Sequence, residues 1–159
     1  MLIVVKRDEL LRALAPVAGV PNTKADIPIL THLIHVLAQR LPATEFDAIM
    51  HEVGRQAMAG RGTAPGGRLG DRVHTASALL NDLGGISEVD EEDELYIIRS
   101  HGCPLAAATA EHPEACNALE SMLSEFVGAK VTKCCDRYDR VRCCFEVSRD
   151  PAATAELRH

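Results

Sequence analysis

The chain has 159 residues, 47% of them hydrophobic and 25% charged, which is the size and balance of one globular domain, or a domain with an arm, able to bury a real core. Its net charge of −6 and its shortage of aromatics, with no Trp, two Tyr and three Phe, argue against this chain alone neutralising a phosphate backbone or stacking on single-stranded bases. No apolar run approaches the roughly 20 residues that cross a bilayer, and Met1-Leu-Ile-Val-Val-Lys6 lacks the order of a signal peptide, so the expectation is a cytoplasmic chain with no membrane contact and with reduced thiols.

Residues 2–5 read as a short strand, and Asp8 can cap a helix to about residue 17, with Leu10, Leu11 and Leu14 on one face. Residues 19–26 read as a loop. Leu30, Leu33, Ile34, Leu37 and Leu41 then recur at helical spacing until Pro42. Thr44 starts another helix, with Asp47 as its acidic partner three residues on and Phe46, Ile49, Met50 and Val53 as its apolar face. Residues 60–67 are rich in Gly but carry no Lys-Ser/Thr after them, so they read as a surface loop and not a phosphate loop. A third helix spans about 69–83 and stops at Gly84-Gly85. Residues 86–91 and 94–99 form a hairpin around the acidic tip Asp90-Glu-Glu-Asp93.

His101-Gly-Cys-Pro104 opens a short helix, and Pro113 opens another that turns Leu119, Met122, Leu123 and Phe126 inward and ends at Gly128. Strands over 130–135 and 141–147 flank the polar turn 136–140. The expected class is α+β: N-terminal amphipathic helices, then a ββ-αα-ββ unit forming an antiparallel sheet. The expected division is an N-terminal arm at 1–26, a regulatory domain at 27–149 and a frayed tail at 150–159.

All six cysteines lie at or beyond Cys103: Cys103, Cys116, Cys134, Cys135, Cys143 and Cys144. Confinement to one segment points to a local site. Strand alternation puts Cys143 with Val141, Phe145 and Val147 on the apolar face, and Cys135 with Val131, so Cys135 and Cys143 form the inward pair. Cys134 and Cys144 point away and stand as alternates. Cys116, in the first turns after Pro113, lies where unpaired N–H groups favour a thiolate. Cys103, Cys116, Cys135 and Cys143 are therefore the candidate ligands of an iron–sulfur cluster, with zinc as the alternative. Their spacings, Cys-x12-Cys-x18-Cys-x7-Cys, are wider than the close knuckles of structural zinc sites. The plain alternative is packing, since free cysteine is among the most buried residue types.

The run His101-Gly-Cys-Pro-Leu105, Glu111-His-Pro-Glu-Ala-Cys116, Glu120-Ser-Met-Leu123, Gly128 and Cys135 through Val147 resembles the C-terminal sensor half of SufR-type transcriptional regulators, within a broad ArsR/DeoR-like group of winged-helix repressors. Residues 36–42 and 51–55 resemble the helices that precede that half, and the resemblance covers about 27–147. It implies a homodimer that represses transcription, DNA reading by N-terminal winged helices, and an iron–sulfur cluster of the 4Fe–4S kind on Cys103, Cys116, Cys135 and Cys143. The later cysteine spacings depart from SufR's own. Only about 26 residues precede the resembling part, too few for a winged helix, so the expectation is a sensor that works with a DNA-binding partner protein and does not touch nucleic acid itself. Residues 1–20 with Ile27-Pro-Ile-Leu30 also resemble the start of a bacterial DNA sliding clamp, and nothing after them follows that pattern.

Two other functions compete. Cys116 with His112 one turn before it could serve as nucleophile and base, but Pro113 separates them and no orienting third group is evident, so the expectation is no enzyme. His101 reads as a loop residue. A small-molecule effector domain with packed cysteines is the other alternative.

Overall fold

The computed structural model describes residues 27–61, 66–101, 103, 105–135 and 143–150. The expected strand at 2–5, the helix at 8–17, the clamp-like opening, the turn at 136–140 and the tail from 151 lie outside the described residues. Three helices come first: α1 (Ile27–Arg40), α2 (Ala43–Met58) and α3 (Leu69–Asp82). Strands β1 (Ser87–Glu91) and β2 (Leu95–Ser100) follow, then α4 (Ala106–Glu111), a 3-10 turn (Pro113–Cys116), α5 (Asn117–Val127), β3 (Val131–Lys133) and β4 (Cys143–Ser148). These strands form one antiparallel sheet in the order β1-β2-β4-β3. The class is α+β, as the order of elements implied. No described helix is long and apolar enough to cross a membrane.

The main core lies between one face of the sheet and the helices α3 and α5. Val73, Ala76 and Leu80 from α3 and Leu119, Met122, Leu123, Phe126 and Val127 from α5 meet Ile98, Val131, Phe145 and Val147. Burial of such aliphatic and aromatic side chains supplies about 1.5–3 kcal/mol each and drives the layers together. Gly128 takes a left-handed conformation, φ 66°, and its N–H closes α5 onto the Ser124 carbonyl at 2.9 Å, as a helix-ending glycine does. A smaller core gathers Ile34 of α1, Phe46 and Met50 of α2, Ala108 of α4 and Ala115 of the 3-10 turn.

Three details differ from the sequence reading. On α1 the apolar stripe divides: Ile34 is buried and Leu37 half-buried, but Leu30 and Leu33 are exposed together with Ile29 and Val36. α1 rests on the short α4 and only lightly on α2, and so narrow a partner covers part of the stripe. On α2 the buried line is Phe46, Met50, Gly54 and Met58, while Val53 is exposed. Gly54 explains the rotation, because there α2 lies directly against the α5 backbone at Ala118 and Met122. α2 begins after Pro42 without a side-chain cap. Asp47, read as the acidic partner of that start, instead accepts from the Asn117 amide on α5, whose oxygen accepts from Lys133 of β3.

A Cβ on Gly54 would collide with the Ala118 carbonyl, which is backbone and cannot swing aside. Gly54→Ala should therefore destabilise the fold by about 1–3 kcal/mol through overpacking, although Ala in a free helix is favoured over Gly by about 1 kcal/mol. Urea unfolding of both proteins checks this; a stabilised variant would show that α2 and α5 are not in backbone contact.

Candidate metal centre

The site is built by the register of β4. Its inner side chains Cys143, Phe145 and Val147 are buried, and Cys144, Glu146 and Ser148 alternate outward, half-buried. β2 pairs with β4 so that Ser100 lies opposite Cys143, and Cys103 follows three residues later in the loop leading to α4. β3 pairs so that Lys133 lies opposite Phe145. The chain continues in step: the Cys134 N–H donates to the Cys144 carbonyl at 2.8 Å, which brings Cys135 beside Cys143. Cys116 closes the 3-10 turn where α5 begins and is 1% exposed.

The two outward cysteines are joined to each other. Cys134 and Cys144 form a disulfide with their Cα atoms 4.9 Å apart. This corrects two expectations, that either could be an alternate ligand and that every thiol is reduced. Opposed residues on adjacent antiparallel strands are close enough to bond, and a bonded sulfur offers no thiolate.

Cys103, Cys116, Cys135 and Cys143 stand outside the disulfide, and each contacts another of the set. Cys143 hydrogen-bonds Cys103 and Cys135, and Cys135 also engages Cys116. Cys116 and Cys143 belong to the main core, and Cys103 and Cys135 pack against it, so the group lies at a dry boundary. The hydrogen bond from Cys143, helped by the Leu105 N–H and the Thr109 hydroxyl, holds the Cys103 thiol down to about 7. The same bond pushes the donor Cys143 well above the usual thiol range, as donation to Cys135 and then burial do for Cys116. Lys133 works the other way, its charge lowering Cys116. Cys103 is thus the readier of these thiols to ionise while Cys116 and Cys143 hold their protons, and a bound metal would displace those protons.

The arrangement also bears on which metal fits. Four sulfurs on one zinc at about 2.3 Å stand only about 3.8 Å apart. Among the described residues, the donor triad found within 4.8 Å of one another is His35, Glu111 and His112, not three of these sulfurs. The thiols run as a chain of contacts from Cys103 through Cys143 and Cys135 to Cys116. Neighbouring sulfurs in contact match the spacing that zinc takes pair by pair, and four thiols in a chain are equally the donor type of an iron–sulfur centre.

The pairing of His112 with Cys116 does not form: His112 Nε2 faces His35 Nδ1 at 3.0 Å. His101 is exposed and its backbone N–H donates to the Ile86 carbonyl at 2.7 Å. His35 and Glu111 carry no sequence signal for a site, since His35 is 77 residues from His112 and only the fold joins them. Comparison with protein-family models and with curated proteins gives no match.

In metal-free, reduced protein Cys103 should alkylate first, with a rate rising through pH about 7, well ahead of buried Cys116 and Cys143. Peptide mapping after brief iodoacetamide treatment across pH 6–9 checks the order; Cys116 or Cys143 reacting first would contradict that order of ionisation.

Proposed function

We propose that this chain is the regulatory sensor module of a transcriptional regulator, holding an iron–sulfur cluster on Cys103, Cys116, Cys135 and Cys143. The observation that carries the reading is that these four thiols form one continuous chain of contacts while the other two cysteines are bonded to each other. The chain's resemblance to SufR-type sensor halves rests on the same four positions. A bound cluster would supply a redox- and oxygen-sensitive centre; zinc is the alternative occupant. Thr109 and the Leu105 N–H stabilise the Cys103 thiolate, the apolar core excludes water, and Lys133 offsets negative charge.

The signal is a linkage between site and shape. Cys103 and Cys116 bracket α4 and the 3-10 turn, whereas Cys135 and Cys143 belong to the sheet. Occupancy ties the bracketed segment to the sheet, and loss releases it. α4 carries α1, and α1 presents Ile29, Leu30, Leu33 and Val36 to solvent. A second copy of the chain covers that face in this reading, so the cluster biases a homodimer, and a DNA-binding partner protein reads the operator. A second reading, a small-molecule effector domain, draws on a concavity of about 690 Å³ lined by Asp93, Glu94, Lys130, Thr132, Glu146 and Arg149, to which no cysteine contributes.

Anaerobic purification or reconstitution should yield iron and acid-labile sulfide in stoichiometric amounts, with a visible chromophore, and Cys143→Ser should lose most of both. Protein that stays colourless after reconstitution would remove the cluster, and zinc retention lost in the same variant would replace it. Leu33→Asp should shift the oligomer towards monomer, at least about tenfold in dissociation constant, in sedimentation equilibrium; an unchanged mass would show that α1 is not the interface.

A further inference from the structure

Beyond the cysteines, a second set of metal-binding side chains meets where α1 crosses α4. His35 Nδ1 lies 3.0 Å from His112 Nε2 and 3.0 Å from Glu111 Oε2. The three donor atoms lie within 4.8 Å of one another. Each comes from a residue whose backbone is fixed. His35 is at mid-helix in α1, and Glu111 is the last residue of α4. The His112 N–H donates to the Ala108 carbonyl at 2.9 Å, and its own carbonyl accepts from Ala115 at 3.0 Å. The Phe46 ring stands edge-on to the His112 imidazole with centroids 6.2 Å apart, walling one side of the site.

We infer that His35, Glu111 and His112 form a site for a first-row divalent cation such as Zn²⁺ or Fe²⁺, separate from the cysteines. Two imidazoles and one carboxylate are the donors that such ions take, leaving open positions for water or a further ligand. Bonds of about 2.0–2.1 Å to two nitrogens at this separation subtend about 91–97° at the ion. That angle fits neighbouring positions of a five- or six-coordinate ion. Without a cation, one proton on His35 Nδ1 serves both a facing imidazole nitrogen and a carboxylate oxygen. A cation satisfies all three at once. Gln39, one turn along α1, sets its amide nitrogen 2.7 Å from His35 Nε2, and a flip of that amide exchanges its nitrogen and oxygen. With its amide oxygen turned to the ring it accepts the Nε2 proton and fixes Nδ1 as the ligating nitrogen, the outer-shell role that metal-bound histidines need.

The position gives the site a consequence. Among the residues of α1 whose side chains are described, Ile34 alone is fully buried, so little apolar contact holds the helix to α4. A cation at His35, Glu111 and His112 clips α1 to the segment between Cys103 and Cys116. The cation site itself does not depend on what the cysteines hold.

The test is Co²⁺ binding to the whole chain under anaerobic, reducing conditions, followed by equilibrium dialysis and absorption together. Thiolate-bound Co²⁺ gives strong sulfur-to-metal charge-transfer bands, and Co²⁺ on imidazole and carboxylate does not. The expected result is about one Co²⁺ per chain beyond what the charge-transfer bands account for. His35→Ala should weaken that extra ion at least about tenfold, and Glu111→Gln should weaken it less, both with the charge-transfer bands unchanged. Both side chains are substantially exposed, so neither variant disturbs the core. Cys143→Ser should do the reverse, diminishing the bands and sparing the extra ion, so failure of the cysteine centre and failure of this site read out separately. No Co²⁺ beyond the thiolate-bound fraction, or extra Co²⁺ bound equally well by His35→Ala, would overturn the inference.

Discussion

The central position of β4 is the constraint on which the candidate site depends. It pairs with β2 on one side and β3 on the other. With Ser100 and Lys133 set opposite Cys143 and Phe145, the alternation of a strand sorts the six cysteines. Cys143 turns in, with Cys135 beside it and Cys103 just past the end of β2. Cys144 turns out, beside Cys134. A slip of one residue in either pairing would exchange the two faces and send Phe145 to solvent. The hydrophobic burial of Phe145 and Val147, both 0% exposed, therefore sets the register, and the register sets the thiol geometry.

Electrostatics complete what packing begins. Buried thiols resist ionisation, and four together resist it more, because each new thiolate repels the others. Here Cys103 is relieved by hydrogen bonds from Cys143, Leu105 and Thr109, at the expense of Cys143. Lys133, held by Asn117 and through it by Asp47, brings a cation towards Cys116. The polar chain Asp47–Asn117–Lys133 thus links α2, α5 and β3 and sets the charge beside the thiols. α4 and the 3-10 turn lie between two of the four cysteines, and α4 is the element on which α1 chiefly rests.

Much of this was legible in the sequence, for identifiable reasons. Period-two alternation over Cys143, Phe145 and Val147 marked the inward cysteines, and Gly84 and Gly128 marked helix ends, because these signals are local. The α+β order followed from the same local periodicities. What escaped were relations between distant elements. Leu30 and Leu33 look like core residues on a helical wheel, but exposure depends on what α1 meets, and the short α4 cannot cover the whole stripe. Gly54 reads as a blemish in α2 until the Ala118 backbone is seen against it. Asp47 fits a local start signal, yet Asn117, 70 residues away, claims it. The bond between Cys134 and Cys144 was hidden because alternation shows only that both point outward. His35 and His112 are joined by the fold alone.

The central claim is that Cys103, Cys116, Cys135 and Cys143 act as one ligand set. The most direct measurement is residue-resolved alkylation of all six cysteines by mass spectrometry, before and after anaerobic reconstitution with iron and sulfide. The account predicts that each of these four alkylates more slowly after reconstitution, from starting rates that differ with burial, while Cys134 and Cys144 resist alkylation in both states until a reductant opens their disulfide. Protection of only some of the four, or none, would contradict a shared centre and return these cysteines to the role of packing residues.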